Sequence, residues 1–165
     1  MTRVDFYTHA PDKLDLARIL TGKAYRQGLK VMLYSPDNRV MADMDKRLWE
    51  TPANSFLPHC RCTAPHADTT PVVLGESADH LPHDNVLINL HDSTPTFFSR
   101  FERLIEIVSL DDADQEAARL RWRFYKQRGY EMRNHDLREK QTRLIQCTNC
   151  WIKCRISWAS IAMHR

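Results

Sequence analysis

The chain of 165 residues has the length of one domain, and its apolar fraction of 42 % and charged fraction of 27 % are typical of globular proteins. No apolar run approaches the roughly 20 residues of a membrane span, and the first residues lack the apolar stretch of a secretory signal, so we expect a cytoplasmic protein without membrane contact. The net charge of +3 comes from the last 27 residues, which carry +4, and this excludes whole-domain basicity as an argument for coating nucleic acid.

The first 50 residues alternate between strand and helix patterns. A β-prone run at 4–7 precedes a helix that Asp12 caps and Gly28 ends, and a strand at 30–34 precedes a helix that ends near Trp49. Apolar residues recur at helical spacing in both helices: Leu16, Ile19, Leu20 and Ala24 in the first, and Val40, Met41, Met44 and Leu48 in the second. Such alternation is typical of a parallel α/β sheet.

The rest of the chain continues the alternation after a long loop at residues 51–70. The pattern predicts strands at 71–75, 86–90 and 104–108, the second of them central, a short helix at 94–101 and a long helix at 111–130 that stops near Gly129. We therefore expect one three-layer α/β domain over residues 1–138, with a mostly parallel sheet of about five strands. Residues 139–165 are predicted to be a basic, cysteine-containing tail without regular structure.

Neither a nucleotide site nor a catalytic residue set is predicted. The turn from the first strand to the first helix, residues 7–12, has no glycine and ends in Asp12, an acid that would repel phosphate. No phosphate-binding GxxxxGK[ST] motif occurs, and no serine lies in a GxSxG elbow. We therefore expect no cofactor and no catalytic residues.

Zinc binding is an alternative interpretation of the histidines and cysteines. A zinc-dependent nucleic-acid module would draw its ligands from two regions, but their spacing lacks the paired CxxC pattern of a strong site. The candidates are His59, Cys60, Cys62, His66, His80 and His83 in the middle of the chain, and Cys147, Cys150 and Cys154 in the tail. An odd number of cysteines without a secretion signal argues against a disulfide framework, and loop residues without a metal remain the simpler interpretation.

The long last helix divides into two faces at 100° per residue. Its predicted core face is Ala113, Ala117, Leu120 and Phe124, and a basic face lies about 130° away, with Arg119, Arg123, Lys126 and Tyr130 and with Trp122 at its margin. The basic face is a solvated surface, a stripe that binds an acidic peptide with Val108 nearby, or a site for single-stranded nucleic acid.

A second group of apolar residues lies in and beside the polar loop, where no periodicity explains it. The group is Trp49, Phe56, Leu57 and Pro58. These side chains either cover the core beneath the loop or form an apolar patch for another protein.

Together these features resemble the family of the chi subunit of bacterial DNA polymerase III holoenzyme, which belongs to the clamp-loader assembly. The resemblance extends from Met1 to Leu137. Its most specific part is the segment around Trp49, and the strands that match are generic for α/β proteins. The matching stretches are Val4-Asp5-Phe6-Tyr7, Arg47-Leu48-Trp49, Pro52-Ala53-Asn54-Ser55-Phe56-Leu57-Pro58-His59, Asn85-Val86-Leu87-Ile88-Asn89-Leu90, Ala118-Arg119-Leu120-Arg121-Trp122-Arg123-Phe124-Tyr125-Lys126 and Gly129-Tyr130.

The resemblance implies a Rossmann-like layout without a nucleotide-binding loop, and a non-catalytic adaptor with two protein-binding surfaces. One surface looks like the family's contact to the psi subunit, expected to serve a repair helicase in some bacteria, with Trp49, Phe56, Leu57 and Pro58. The other looks like the family's site for the acidic C-terminal tail of single-stranded-DNA-binding protein, with Val108, Arg119, Trp122, Arg123 and Lys126. The clamp loader is then an indirect partner, and contact with DNA is mainly indirect. Trp122 and Arg123 stand where the family is expected to have tyrosine and lysine.

Overall fold

A computed structural model of the chain describes residues 2–50 and 57–138. The chain divides between His135 and Asp136 into two units, and the fold described here is that of the first. The predicted domain boundary after residue 138 stays a prediction, because residues 139–165 lie outside the described part. The elements are β1 (Arg3–Ala10), α1 (Lys13–Arg26), β2 (Val31–Tyr34), α2 (Asn38–Trp49), β3 (His59–Arg61), β4 (Val72–Gly75), β5 (Val86–Asn89), β6 (Arg103–Ser109), α3 (Asp112–Gln127) and β7 (Glu131–Asp136).

The strands form one sheet in the order β3-β4-β2-β5-β6-β1-β7. The ladders β3–β4, β4–β2, β2–β5, β5–β6 and β6–β1 are all parallel. All four residues of β4 and of β5 are buried, so both faces of the sheet are covered there, as is usual for parallel sheets. The predicted α/β class and the central position of the strand at 86–90 are confirmed. In the described part of the chain the sheet has seven strands rather than about five.

The helix boundaries follow the capping signals of the sequence. The Asp12 carboxylate accepts hydrogen bonds from the backbone N–H of Leu14 and Asp15, each at 3.0 Å, and begins α1 as predicted. Gly28 and Gly129, just beyond α1 and α3, have φ of 75° and 78°, a left-handed conformation that suits glycine at helix ends. None of the helices in the described ranges is long and apolar enough to cross a bilayer.

Four details of the elements differ from the sequence expectations. Part of the predicted loop at 51–70 forms the short edge strand β3, and the predicted helix at 94–101 is reduced to a single 3₁₀ turn, Phe98–Arg100. The strand β7 was missed because its sequence is almost entirely polar. In α1, Ile19 is 48 % exposed, and Ala17 and Thr21 are buried beside Leu20 and Ala24 instead.

The predicted core face of α3 is also wrong. The buried residues of this helix are Asp114, Ala118, Arg121 and Tyr125, whereas Leu120 is 62 % exposed. The reason lies in the facing strand, where the buried carboxylate of Glu106 needs hydrogen-bond donors. Charged and polar side chains of α3 therefore face the sheet, and the four residues of the predicted core face are half-buried or exposed.

Glu106 is the centre of a buried polar network that fixes α3 on the sheet. Its Oε2 accepts from Arg121 Nε at 3.0 Å, its Oε1 accepts from the Tyr125 hydroxyl at 2.7 Å, and Asn89 Nδ2 lies 3.2 Å from both oxygens. Burial raises the pKa of Glu106, and the Arg121 charge opposes that rise. Because both oxygens of Glu106 accept hydrogen bonds from side chains of α3, the network specifies one orientation of the helix.

The last strand is fastened to β1 by side chains on one face. The rings of Tyr7 and His135 stack with centroids 4.5 Å apart, and His135 Nε2 lies 3.4 Å from Oδ1 of the buried Asp5. On the opposite side of β7, Asn134 Oδ1 accepts from the Thr8 hydroxyl at 3.4 Å. These contacts place β7 beside β1 and make it one wall of the site described next.

Candidate functional site

A pocket of about 360 Å³ lies between α3 and the strands β6, β1 and β7. Such a position, between a helix and the carboxyl-terminal half of neighbouring strands, is common for ligand sites in α/β proteins. Its lining residues are Phe6, Thr8 and His9 of β1, Val108 of β6, Gln115, Ala118, Arg119, Trp122 and Arg123 of α3, and Asn134 of β7.

The floor of the pocket is apolar and rigid. Phe6, Val108 and Ala118 are buried parts of one hydrophobic cluster, and Trp122 packs against that cluster. The rings of Phe6 and Trp122 meet edge to face with centroids 4.9 Å apart. Because these groups are held by the core, an apolar side chain of a ligand would enter a preformed space.

The rim of the pocket is cationic. Arg119 and Arg123 are both exposed and are four residues apart on α3, so their guanidinium groups lie on the same side of the helix. Within the described ranges neither arginine forms an ion pair, and no carboxylate lines the pocket. The rim therefore offers two positive charges to an anionic ligand.

The remaining wall of the pocket is polar. It consists of Thr8, His9, Gln115 and Asn134. The sequence analysis missed these residues, and it could not have found Asn134 because β7 itself was missed. Phe6 and Thr8 were within reach of the sequence, since alternate residues of a strand face the same side.

The structure brings together four of the five residues predicted for the acidic-tail site. Val108, Arg119, Trp122 and Arg123 all line the pocket. Lys126 is exposed on α3, three residues beyond Arg123, and is not part of the lining. That these residues bind a peptide stays a prediction.

The second predicted surface is only partly described. Trp49 is 60 % exposed at the end of α2, with its ring 5.0 Å from that of His59, and Pro58 is half-buried. Leu57 is buried near Gly22 of α1, so its side chain supports this surface from beneath. Phe56 lies outside the described residues. This assignment also stays a prediction.

His59 anchors Trp49 and the start of β3. Its Nδ1 lies 2.7 Å from the Leu57 carbonyl oxygen, and its Nε2 lies 3.3 Å from Asp45 Oδ1 of α2. The side chain of His59 is closed to solvent, beneath the exposed indole of Trp49. The loop and the end of α2 are therefore joined beneath the predicted interface.

A second hollow of about 460 Å³, between α1 and α2, is lined by charged groups of both signs. Arg18 pairs with Asp15 at 2.7 Å, Lys46 pairs with Glu50 at 3.7 Å, and Arg47 Nη1 reaches Asp12 Oδ2 at 2.7 Å. Since each of these cations already faces an acid, the hollow presents little net charge to a ligand.

The candidate zinc ligands do not converge in the described part of the chain, where no three such groups come together. His83 Nε2 lies 2.7 Å from the Thr70 carbonyl oxygen, and His80 Nε2 lies 3.4 Å from Asp68 Oδ1. Cys60 and Cys62 are free thiols beside β3. The three tail cysteines, Cys147, Cys150 and Cys154, lie outside the described residues.

Comparison with solved structures supports the fold alone. The C-terminal domain of Dbp5 from S. cerevisiae superimposes with a TM-score of 0.57 at 9 % identity, covering 82 % of this chain and 90 % of that domain. A longer Dbp5 structure gives a TM-score of 0.51 at 10 % identity, covering 82 % of this chain and 41 % of the other. At such identities the likeness concerns only the arrangement of strands and helices.

Comparison with curated proteins and with family models is more specific. A Pseudomonas aeruginosa protein named DNA polymerase III subunit chi is 37 % identical over 141 residues, which are 83 % of this chain and 98 % of that protein. Proteins of the same name from Haemophilus influenzae and Escherichia coli are 28 % and 25 % identical, over 72 % and 68 % of this chain and 83 % and 78 % of their own length. The family model for DNA polymerase III chi subunit, HolC, matches residues 1–133. The chain belongs to the chi-subunit family of DNA polymerase III, whose members are accessory, non-catalytic subunits of that replicative enzyme.

Proposed function

We propose that this protein is an adaptor that tethers the polymerase III holoenzyme to template coated by single-stranded-DNA-binding protein, in the bacterial cytoplasm at the replication fork. In this proposal the pocket beneath α3 binds the acidic C-terminal tail of single-stranded-DNA-binding protein. The observation that carries the proposal is the combination of an apolar floor with two cations, Arg119 and Arg123, at its rim.

The chemistry of the pocket suits an acidic peptide that ends in, or contains, an apolar side chain. Guanidinium groups bind carboxylates through paired, charge-assisted hydrogen bonds, and arginine is better suited to this geometry than lysine. The half-buried face of Trp122 and the side chain of Val108 form the apolar part, where one anchoring side chain loses its contact with water.

The charge distribution supports a local rather than a global attraction. Residues 1–138 carry a net charge of −1, so the positive rim of the pocket is a feature of one surface of a nearly neutral body. A protein of this kind recognises an acidic segment without attracting the phosphate backbone of DNA over its whole surface. We therefore propose that its contact with DNA is mainly indirect.

The other half of the adaptor is the surface around Trp49 and Pro58, supported by Leu57; Phe56 is predicted for the same surface and lies outside the described residues. We propose that it binds the psi subunit, through which the protein joins the clamp-loader assembly, and that a repair helicase competes for the same surface in some bacteria. An exposed tryptophan whose ring lies 5.0 Å from that of His59, the residue after the half-buried Pro58, supports a protein interface there. Two modest contacts on one adaptor raise the effective concentration of the linked partners.

Peptide binding tests the first half of the proposal. A fluorescent peptide with the acidic C-terminal sequence of single-stranded-DNA-binding protein is titrated with the wild-type protein and with Arg119→Ala and Arg123→Ala, and anisotropy is recorded. The matched control is Arg26→Ala, an exposed arginine in the last turn of α1. We expect each pocket variant to weaken binding by about 10-fold and the control to leave it unchanged. Absence of wild-type binding, or equal binding by all four proteins, contradicts the proposal.

Binding of the psi subunit tests the second half. Isothermal titration compares the wild-type protein with Trp49→Ala and with Leu120→Ala, which removes an equally exposed apolar side chain from α3. We expect Trp49→Ala to weaken psi binding and to leave peptide affinity intact, and Leu120→Ala to retain psi binding. If Trp49→Ala binds psi as the wild type does, the interface lies elsewhere.

A further inference from the structure

The strand β1 contains a bulge directly above the pocket. Tyr7 is paired with Ile107 of β6 and Ala10 with Ser109, so three steps along β1 match two steps along β6. One extra residue is therefore inserted at Thr8 and His9. His9, the last residue but one of β1, has φ of 62°, a left-handed backbone conformation that is unusual within a strand.

The bulge places His9 beside the pocket. In a regular strand, Phe6 and Thr8 would face α3, and His9 would share the opposite face with Asp5 and Tyr7. In this structure Phe6, Thr8 and His9 all line the pocket. Two consecutive residues of one strand thus reach the same ligand space, which regular alternation does not allow.

The left-handed conformation of His9 is unfavourable for a residue with a side chain, although histidine adopts it more often than most. The described residues have two other left-handed positions, Gly28 and Gly129, and glycine occupies both at helix ends. At the bulge, by contrast, the left-handed residue carries a hydrogen-bonding ring. Unfavourable backbone conformations of this kind cluster at functional sites, where they direct a side chain toward a ligand.

We propose that His9 is a binding residue for the acidic peptide, an inference that rests on the proposed function of the pocket. Its imidazole N–H donates a hydrogen bond to a carboxylate or backbone carbonyl of the peptide from the β1 side. Arg119 and Arg123 bind the same segment from the α3 side, so the peptide is held between two walls. The bulge of β1 is then a feature of recognition and not only of the fold.

Two substitutions separate the side chain of His9 from its backbone conformation. His9→Gly removes the ring and relieves the unfavourable φ, whereas His9→Ala removes the ring and keeps the unfavourable φ. We expect the thermal midpoint to rise or stay unchanged for His9→Gly and to fall for His9→Ala. We expect both variants to bind the fluorescent acidic peptide about 3- to 10-fold more weakly than the wild type, because both lack the imidazole donor.

A control variant and a control peptide complete the experiment. Gly129→Ala introduces a side chain at a left-handed position outside the pocket, and it should lower the thermal midpoint without changing peptide affinity. A peptide with its acids replaced by amides should bind weakly to every variant. If Arg119→Ala loses affinity while His9→Gly and His9→Ala bind as the wild type does, the role of His9 is disproved and the pocket stands. If the wild type binds no acidic peptide, the proposed function itself fails.

Discussion

The Glu106 carboxylate and the Arg121 guanidinium form an ion pair that water does not reach, with Nε 3.0 Å from Oε2 and side-chain exposures of 0 % and 3 %. The pair joins β6 to α3. Val108 lies two residues further along β6, and Trp122 directly follows Arg121 on α3, and both line the pocket. The distance between β6 and α3 at the floor of the pocket therefore depends on this ion pair.

Removing one partner of this ion pair should destabilise the folded protein. Arg121→Met leaves the Glu106 charge buried without its main partner, and we expect the free energy of unfolding to fall by about 3–5 kcal/mol in urea denaturation at neutral pH. Arg119→Met, which changes an exposed arginine two residues away, should change it by less than about 0.5 kcal/mol. Equal effects of the two variants would show that the buried pair has no special role.

The loss in Arg121→Met should depend on pH. Burial raises the pKa of Glu106 above its unfolded value, and the Arg121 charge opposes this, so the variant raises that pKa further. A raised folded-state pKa means that the folded protein retains the proton longer. The stabilisation that protonation of Glu106 provides is then fully present below the unfolded pKa, and it is lost as the pH rises through the folded pKa. We expect the deficit of the variant to shrink as the pH falls from neutral toward 4.5, the ordinary value for glutamate. A deficit that is constant with pH would contradict a buried ionised carboxylate.

The Asp12 cap of α1 gives the opposite pH dependence. The backbone N–H of Asp15 lowers the pKa of Asp12, and Arg47 lowers it further. The cap therefore stabilises the protein above the unfolded pKa, and this stability is lost as the pH falls through the folded pKa. Asp12→Ala should lower the free energy of unfolding by about 1 kcal/mol at pH 7, and Asp12→Asn, which keeps the cap, by less. The difference between wild type and Asp12→Asn should shrink as the pH falls below 3.8, the ordinary pKa of aspartate, because the lowered folded-state pKa lies beneath it; a difference that does not change with pH would assign the effect to packing.

Replacement by alanine should change the free energy of unfolding in opposite directions at two glycines, the buried Gly75 and the half-buried Gly22. A methyl group at Gly75 of β4 would overlap Met32 Cε, and Met32 is itself fully buried, so we expect a loss of about 1–3 kcal/mol. At Gly22 of α1 the nearest atom, Leu57 Cδ1, is 3.7 Å away, an ordinary contact. Gly22→Ala should therefore stabilise the helix, by about 0.5–1 kcal/mol. Thermal and urea denaturation of both variants measure the difference in sign.

Peptide binding in the pocket should weaken with salt. The guanidinium groups of Arg119 and Arg123 are exposed, and exposed charge pairs are screened over about 10 Å at 0.1 M salt. We expect affinity to decline between about 50 mM and 500 mM NaCl, and the decline to be shallower for Arg123→Ala, which has one cation fewer. Lys126→Ala should have a smaller effect than either arginine variant, because Lys126 is outside the lining. Affinity independent of salt would indicate that the apolar floor alone binds the peptide.

The sequence was sufficient for the parts of the fold that depend on local signals. Asp12 and Gly28 act next to where they stand in the chain, so the limits of α1 could be predicted. The buried face of α3 could not be predicted, because Arg121 is buried where it donates a hydrogen bond to Glu106, a residue 15 positions away. Four of the predicted site residues lie together in the pocket. They could be predicted because their stretch of sequence resembles the family and because β6 and α3 follow one another in the chain. His9 and Asn134 were beyond reach, since a bulge and a polar edge strand leave no periodic signal.

The polar strand β7 has a further consequence, for the behaviour of the protein at high concentration. Without it, β1 would be the last strand on that side of the sheet, and its backbone N–H and C=O groups would be open to strands of other molecules. β7 covers this edge with a strand that carries Glu131 and Arg133, which are paired with each other at 2.8 Å. Such charges on an outermost strand oppose edge-to-edge aggregation. The strand that supplies Asn134 to the pocket thus also protects one edge of the parallel sheet from pairing with strands of other molecules.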